Sequence, residues 1–130
     1  MSDFLNTMAS LSLERAEAAG TFTDADFDKP VVPLSLGGFD IIAEIKNRSP
    51  AEGKLAGTDS NRVMRAQQYV DGGAAAISIL TEPSQFAGTL EHLEEVVDAV
   101  PDTPVMRKDF LVESVQICEA RKFGASGVLL

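Results

Sequence analysis

Two groups of opposite charge stand close together, directly after an apolar run in the first third of the sequence. Residues 41–43 are all apolar, and Glu44 and Lys46 follow them, two positions apart. In a β-strand, side chains two positions apart point to the same face. Charges at the end of an apolar strand are costly to desolvate, so they require each other or a ligand. The pair therefore indicates either a site for a polar ligand or a structural ion pair, which also occurs at strand ends.

A polar loop follows this pair at once. Asn47, Arg48 and Ser49 supply hydrogen-bonding side chains, and Pro50 ends the strand. Polar groups crowded at the carboxyl end of a parallel strand are typical of active sites in α/β barrels and open α/β sheets. We therefore interpret this stretch as one part of an active site.

A second charged cluster lies in residues 105–110, VMRKDF. As a strand, this segment places Lys108 and Phe110 on one face and Arg107 and Asp109 on the other. We expect Arg107 and Asp109 to face the helices or to form an ion pair. Lys108 is the candidate for the site, because the carboxyl ends of parallel strands lie on one rim.

Alternating strands and helices are predicted around these groups. Apolar runs predict strands near residues 40–46, 75–81, 104–109 and 127–130. Helical spacing predicts helices at 61–71, from Thr89 onward and at 114–123, and residues 83–86 are expected to form a loop. Asp59 or Ser60 is expected to cap the helix that begins at 61. This alternation predicts an α/β fold with a parallel sheet and right-handed crossovers.

An amphipathic helix is predicted over residues 3–19, before the first strand. Leu5, Met8, Leu11 and Leu13 lie near one stripe of that helix, and Gly20 is expected to end it. Residues 21–38 contain prolines and a glycine pair, which predict an irregular connector.

The composition limits the kinds of function. The sequence has 130 residues, enough for one compact domain, a net charge of −9 at pH 7 and one cysteine. An acidic chain is not expected to bind nucleic acid, and a local cationic cluster must attract any anionic substrate. One cysteine excludes an internal disulfide and fits a reducing cytosol. With no signal pattern and no apolar run of roughly 18 residues, we expect a soluble, cytoplasmic chain without membrane contact.

Four segments carry a resemblance to a known family: IIAEIKNRSP, AISILTEPSQFAG, PVMRKDF and GASGVLL. In this order and spacing across residues 41–130, they resemble the first half of indole-3-glycerol-phosphate synthase. The leading helix is similar to the extra N-terminal helix that this family places over its barrel mouth. The resemblance thus implies a helix and connector at 1–38, and the first half of a (β/α)8 TIM-type barrel, with about four strands, at 39–130.

The resemblance also implies a function. The family consists of carboxy-lyases of tryptophan biosynthesis, an amino-acid biosynthesis pathway. They convert 1-(2-carboxyphenylamino)-1-deoxyribulose 5-phosphate to indole-3-glycerol phosphate with loss of carbon dioxide and water. The implied partner is therefore an anionic, phosphorylated small molecule. No metal ion and no organic cofactor is implied.

Three residues take catalytic roles by this resemblance. Lys108 resembles the general acid that protonates the substrate's ketone oxygen as the aromatic carbon attacks. Glu44 resembles the acidic group that moves protons around the ring. Lys46 is expected to steer the anthranilate carboxylate.

Five residues take substrate-binding roles by the same resemblance. Arg48 and Ser49, with Pro50 in the same loop, resemble the donors near the substrate's carboxylate and phosphate. Phe86 and Phe110 are expected to pack on the aromatic ring, although both residues also suit a core position.

The resemblance covers only about half of the barrel, which needs about 250 residues. We therefore expect either a truncated synthase or a half-barrel with two open sheet edges. By itself the chain is expected to be inactive and to self-associate through those edges. The alternative function is a non-catalytic half-barrel that pairs with itself or with a complementing half.

Overall fold

A four-stranded parallel sheet forms the centre of the fold. The computed structural model describes residues 2–51, 53–54 and 61–130. The strands of this sheet are β1 (Ile42–Ile45), β4 (Ala76–Leu80), β5 (Val105–Lys108) and β6 (Gly127–Leu129). They lie side by side in chain order, and every neighbouring pair is parallel. The four predicted strands and their parallel arrangement are therefore confirmed.

Each pair of neighbouring strands is connected through a helix. These crossover helices are α2 (Arg62–Asp71), α4 (Leu90–Ala99) and α5 (Val115–Lys122). Parallel strands require such crossovers, and sequential order places each helix beside the strands that it joins. The architecture is the α/β fold of a partial β/α barrel, as the sequence predicted. The residues proposed as caps of α2, Asp59 and Ser60, lie outside the described residues, and Asn61 stands at the cap position.

The hydrophobic core lies between the sheet and its helices. One face of the sheet contributes Ile45, Ile77, Ile79 and Val105, and these side chains pack on Leu93 and Val96 of α4. The alternate side chains of each strand point to the other face, where Glu44 and Lys108 lie. One face of the sheet is therefore buried under helices, and the other face carries Glu44 and Lys108.

The leading helix, α1 (Asp3–Ala18), buries Met8 of the predicted stripe, but its buried face otherwise differs from that stripe. Leu5 and Leu13 are exposed, whereas Met8, Ser12 and Ala16 are buried. The prediction for Leu5 and Leu13 was wrong because the buried face includes a serine, whose hydroxyl donates to the carbonyl of Phe110. Gly20 follows the helix with a φ of 78°, the left-handed conformation that favours glycine, as expected.

Four short elements complete the described secondary structure, and one of them is a single 3₁₀ turn at Asp24–Asp26 in the connector. The strands β2 (Arg48–Ser49) and β3 (Gly53–Lys54) pair antiparallel after β1. The helix α3 (Pro83–Phe86) occupies the segment predicted as a loop. No helix in the described ranges combines the length and apolar character that crossing a membrane requires.

Candidate active site

Glu44, Lys46 and Lys108 converge at the carboxyl ends of the strands. The ammonium of Lys108 donates a hydrogen bond to Glu44 Oε1 over 2.6 Å, and Lys46 Nζ lies 3.8 Å from Glu44 Oε2. Because β4 lies between β1 and β5, and Lys108 lies two residues beyond Met106, which is level with Glu44, the backbones of Glu44 and Lys108 are about 12 Å apart. The long lysine side chain spans this gap, so the structure brings together the three residues predicted from the sequence.

The cluster has a local excess of positive charge. Two ammonium groups face one carboxylate, and each of the three side chains is about one-third exposed to solvent. Because both lysines remain partly exposed although they pair with Glu44, a ligand can reach their ammonium groups. A local excess of one positive charge can attract an anionic ligand although the chain as a whole has a net charge of −9.

A pocket of about 260 Å³ opens beside this cluster. Its lining consists of Glu44, Lys46, Leu80, Phe86, Lys108, Asp109, Phe110, Leu129 and Leu130. The rings of Phe86 and Phe110 lie 6.4 Å apart between centroids, and Phe4 of α1 packs edge-on against Phe110. Aromatic walls with a few convergent charges are typical of a site for a small, partly apolar ligand. Both predicted phenylalanines therefore line the same pocket as the charged residues.

The loop after β1 is attached to the segment after β4. Arg48 donates to the backbone carbonyls of Ser84 and Gln85, and Asn47 donates to the carbonyl of Ala87 over 3.1 Å. Within the described part of the chain, Arg48 does not line the pocket. Its predicted contact with the substrate stays a prediction, and the observed contacts assign it a role in joining two loops.

The other predicted loop residues remain untested by this geometry. Pro50 is exposed, and the pocket lining found among the described residues does not include it. The side chain of Ser49 lies outside the part of the chain that the structure describes. The substrate-binding roles of Ser49 and Pro50 therefore stay predictions.

Glu82 is a positioning residue that the sequence analysis did not identify. Its buried carboxylate caps α3 by accepting hydrogen bonds from the backbone N–H groups of Ser84 (2.6 Å) and Gln85 (2.9 Å). Proline at the first helical position after an acidic residue is a signal for a helix start. The capped helix holds Phe86 at the pocket. The acidic residue followed by proline could have predicted a helix, instead of a loop, at residues 83–86.

Gly88 allows the chain after α3 to approach β4 closely. A Cβ at this position would lie 2.2 Å from the carbonyl oxygen of Leu80 and 2.7 Å from Thr81 Cα. Both neighbours are backbone atoms, which cannot move aside without displacing the strand. The glycine is therefore required by the path of the chain that follows Phe86.

A buried ion-pair network lies behind the site. The side chain of Asp109 is fully buried, and its carboxylate accepts two hydrogen bonds from Arg15 of α1, at 2.7 and 2.9 Å. Arg107 lies 3.3 Å from Asp109 and donates to Glu119 of α5 over 2.9 Å. The expectation that Arg107 and Asp109 face the helices in an ion pair is confirmed.

The charge state of Asp109 follows from these contacts. Burial opposes ionisation of its carboxyl group. The hydrogen bond and charge of Arg15, with Thr81 and Arg107, outweigh burial and lower the pKa of Asp109. Burial likewise opposes the charged form of Arg15, but the hydrogen bond and charge of Asp109 raise its pKa. Both groups are therefore ionised at neutral pH.

In residues 2–51, 53–54 and 61–130, no group of three or more His, Cys, Asp or Glu side chains could hold a metal ion.

The fold and the site together define a class of protein. A parallel β/α sheet, with a charged pocket at the carboxyl ends of its strands, is the arrangement of β/α-barrel enzymes. The family model described as indole-3-glycerol phosphate synthase matches residues 12–130. The chain belongs to the indole-3-glycerol phosphate synthase family.

Individual relatives agree with this assignment. An indole-3-glycerol phosphate synthase of Nocardioides sp. is 46% identical over 128 residues, which cover 92% of this chain and 48% of the relative. The synthase of Methanopyrus kandleri is 48% identical over 98 residues, which cover 75% of this chain and 38% of the relative. The synthase of Kineococcus radiotolerans is 53% identical over 93 residues, which cover 72% and 33%. The chain thus spans about half or less of the length of these curated relatives.

Proposed function

We propose that this chain provides the Glu44–Lys46–Lys108 part of the active site of an indole-3-glycerol-phosphate synthase. The reaction would convert 1-(2-carboxyphenylamino)-1-deoxyribulose 5-phosphate to indole-3-glycerol phosphate, carbon dioxide and water. The observation that carries the proposal is the 2.6 Å contact between Lys108 and Glu44, beside an aromatic pocket, in a member of this family. The reaction would take place in the cytoplasm, whose reducing conditions suit a sequence with one cysteine.

Lys108 acts as the general acid in this proposal. As the aromatic carbon of the substrate attacks the ketone carbon, a new carbon–carbon bond forms and negative charge develops on the ketone oxygen. The Lys108 ammonium donates its proton to that oxygen, and its positive charge stabilises the developing charge before transfer. Loss of carbon dioxide and then of water completes the indole. Glu44 orients the ammonium beforehand and accepts a proton during the later steps.

The remaining pocket residues hold the substrate. Lys46 attracts the anthranilate carboxylate, and the rings of Phe86 and Phe110 pack on the aromatic ring. Arg48 and Ser49, with Pro50, take their place in the loop that approaches the acidic groups of the substrate. The same proposal includes a domain arrangement. In it, residues 39–130 form the first half of a barrel, and α1 with the connector, residues 1–38, lies over the mouth of that barrel. The contacts of Phe4, Ser12 and Arg15 with residues 109–110 support this position of α1.

The experiment that tests the proposal replaces Lys108 by alanine in a complete barrel. This chain is joined to the C-terminal part of the Nocardioides synthase, and product formation is measured at steady state. Loss of a positioned general acid lowers kcat by about 10²–10⁴-fold. Lys122→Ala is the control, because Lys122 is also a partly exposed lysine but pairs with Asp26, away from the pocket. Near-normal turnover of Lys108→Ala, or no turnover of the folded parent protein, would contradict the proposal.

By itself, the chain is proposed to self-associate through the edges of its sheet. Ile42 on β1 is 47% exposed, and Leu129 on β6 is 44% exposed. Exposed apolar edge strands offer unpaired backbone groups and apolar surface to another chain. Size-exclusion chromatography with light scattering should therefore show dimers or larger species, and Ile42→Lys should reduce them. A concentration-independent monomer would contradict this part of the proposal.

A further inference from the structure

We propose that Arg15, on the leading helix, is a positioning residue for Lys108. Through Asp109 it holds the chain that leaves β5, so that the Lys108 ammonium lies against Glu44. The catalytic consequence of this inference rests on the proposed function, whereas the effect on the position of Lys108 does not.

The backbone beyond Lys108 is held by side chains instead of by the sheet. Lys108 is the last residue of β5; it pairs with Leu80 and Leu129 of the neighbouring strands, and its carbonyl accepts from the N–H of Thr81 over 3.0 Å. After it, the Asp109 carboxylate accepts from the N–H of Phe110 over 2.7 Å, and the Ser12 hydroxyl donates to the carbonyl of Phe110. The conformation directly after the catalytic lysine therefore depends on Asp109 and on α1.

Gln116 of α5 extends this support along the same loop. Its side-chain oxygen accepts from the N–H groups of Val112 (2.8 Å) and Glu113 (3.0 Å), and its amide nitrogen donates to Ser12 Oγ over 2.8 Å. The loop after β5 is thus attached to α1 from one side and to α5 from the other. Because the loop begins directly after Lys108, the last residue of β5, we expect movement of the loop to change the direction of the Lys108 side chain.

Arg15 is the cation on which Asp109 depends most. Its two terminal guanidinium nitrogens donate hydrogen bonds to the two carboxylate oxygens of Asp109, at 2.7 and 2.9 Å. Arg107 makes a longer contact, 3.3 Å, and donates also to Thr81, Glu119 and the carbonyl of Gln116. The network contains two arginines and two carboxylates, so its net charge is zero. Removal of Arg15 leaves one uncompensated negative charge in the buried cluster and frees the Asp109 carboxylate to turn.

The chain offers a matched control in Lys29. Its side chain is 24% exposed, against 26% for Arg15, and it also joins two distant segments through two carboxylate contacts, to Glu94 (3.0 Å) and Asp98 (3.2 Å). Both partners lie on α4, and neither lines the pocket found in the described residues. Lys29→Met therefore removes a cation that joins two segments without touching the support of Lys108, and it controls for loss of that cation because its carboxylate partners are solvent-exposed.

The first test measures the position of Lys108 in the 130-residue chain itself. The side-chain ¹⁵Nζ and ¹³Cε resonances of Lys108 are assigned with Lys108→Arg, and Glu44→Gln provides the reference for an unpaired ammonium. Arg15→Met should move the Lys108 resonances toward those of Glu44→Gln, and Lys29→Met should leave them in place. If Arg15→Met does not fold, Arg15→Lys takes its place, because a lysine keeps the charge but not the two-pronged geometry. Unchanged Lys108 resonances in the folded Arg15 variant would overturn the inference.

The second test measures turnover in the joined barrel with the Nocardioides C-terminal part. Arg15→Met should lower kcat by about 10–100-fold, the scale of a misplaced catalytic group, with KM changed less than about threefold. Arg15→Lys should recover part of that loss, and Lys29→Met should stay within about twofold of the parent. A normal kcat in Arg15→Met, or an equal loss in Lys29→Met, would overturn the inference.

The two tests separate this inference from the proposed function. If the proposed reaction is wrong, the parent barrel shows no turnover or Lys108→Ala leaves turnover unchanged. The resonances of Lys108 still decide in that case whether Arg15 fixes its position. If only the positioning inference is wrong, Lys108→Ala abolishes turnover while the Arg15 variants behave like the parent.

Discussion

Asp109→Asn is the substitution that measures most directly how much the buried network contributes to stability. Asparagine has nearly the same volume and shape as aspartate, so the packing around residue 109 is preserved. The change removes the negative charge between Arg15 and Arg107 and turns one acceptor oxygen into a donor nitrogen. The expected result is a large loss of stability without a cavity.

The magnitude follows from the contacts of the two carboxylate oxygens. Oδ2 accepts from Arg15 (2.7 Å), from the Thr81 hydroxyl (2.7 Å) and from Arg107 (3.3 Å). Oδ1 accepts from Arg15 (2.9 Å) and from the N–H of Phe110 (2.7 Å). Whichever oxygen becomes the amide nitrogen, at least two buried donors lose their acceptor, at about 1–3 kcal/mol each. Removing one member of a buried ion pair costs about 3–5 kcal/mol, and we expect the free energy of unfolding to fall by that amount.

Urea denaturation followed by circular dichroism measures this loss, at a protein concentration low enough to limit self-association. Asp98→Asn is the control, because the Asp98 side chain is 65% exposed and its ion pair with Lys29 is screened by solvent. Such an exposed pair contributes less than about 1 kcal/mol. A loss below about 1 kcal/mol for Asp109→Asn, or equal losses for both variants, would refute the reasoning.

Two further predictions concern acid stability and Gly88. Burial opposes ionisation of Asp109, but the interactions with Arg15 outweigh burial, so the pKa of Asp109 is lowered in the folded chain. The contribution of Asp109 to the free energy of unfolding is therefore fully present above the unfolded pKa of about 3.9. That contribution is lost as the pH falls through the folded pKa. Urea midpoints measured between about pH 2 and pH 7 should therefore fall more steeply for the parent than for Asp109→Asn. Parallel curves for the two proteins would contradict this prediction. Gly88→Ala places a Cβ against backbone atoms and should lower the free energy of unfolding by about 1–3 kcal/mol or more. Thermal melts measure this loss. The control is Gly127→Ala, whose Cβ meets nothing within 4 Å and which should lower the melting temperature much less. Similar melting temperatures for the two variants would contradict the close approach at Gly88.

The architecture could be predicted from the sequence because its signals are local. Apolar runs such as 74–80 mark strands that are covered by helices, and the glycines at 72, 73 and 124 mark helix ends. Once the strands are parallel and sequential, their carboxyl ends must share one rim. Glu44 and Lys108 were therefore expected together, although 64 residues separate them, and they form the 2.6 Å contact.

The supports of the site could not be predicted in this way, because they join polar groups that are distant in sequence. Nothing local pairs Arg15 with Asp109, 94 residues away, or selects Ser12 over Leu13 for the buried face of α1. Apolar periodicity cannot identify a buried face whose residues are held by hydrogen bonds. The sequence alone determined which groups could do chemistry and on which rim they lie. Only the packing of α1, α3 and α5 against the strand ends decided how Lys108 and Phe86 are held, because a buried charge is stable only where the tertiary structure supplies its partners.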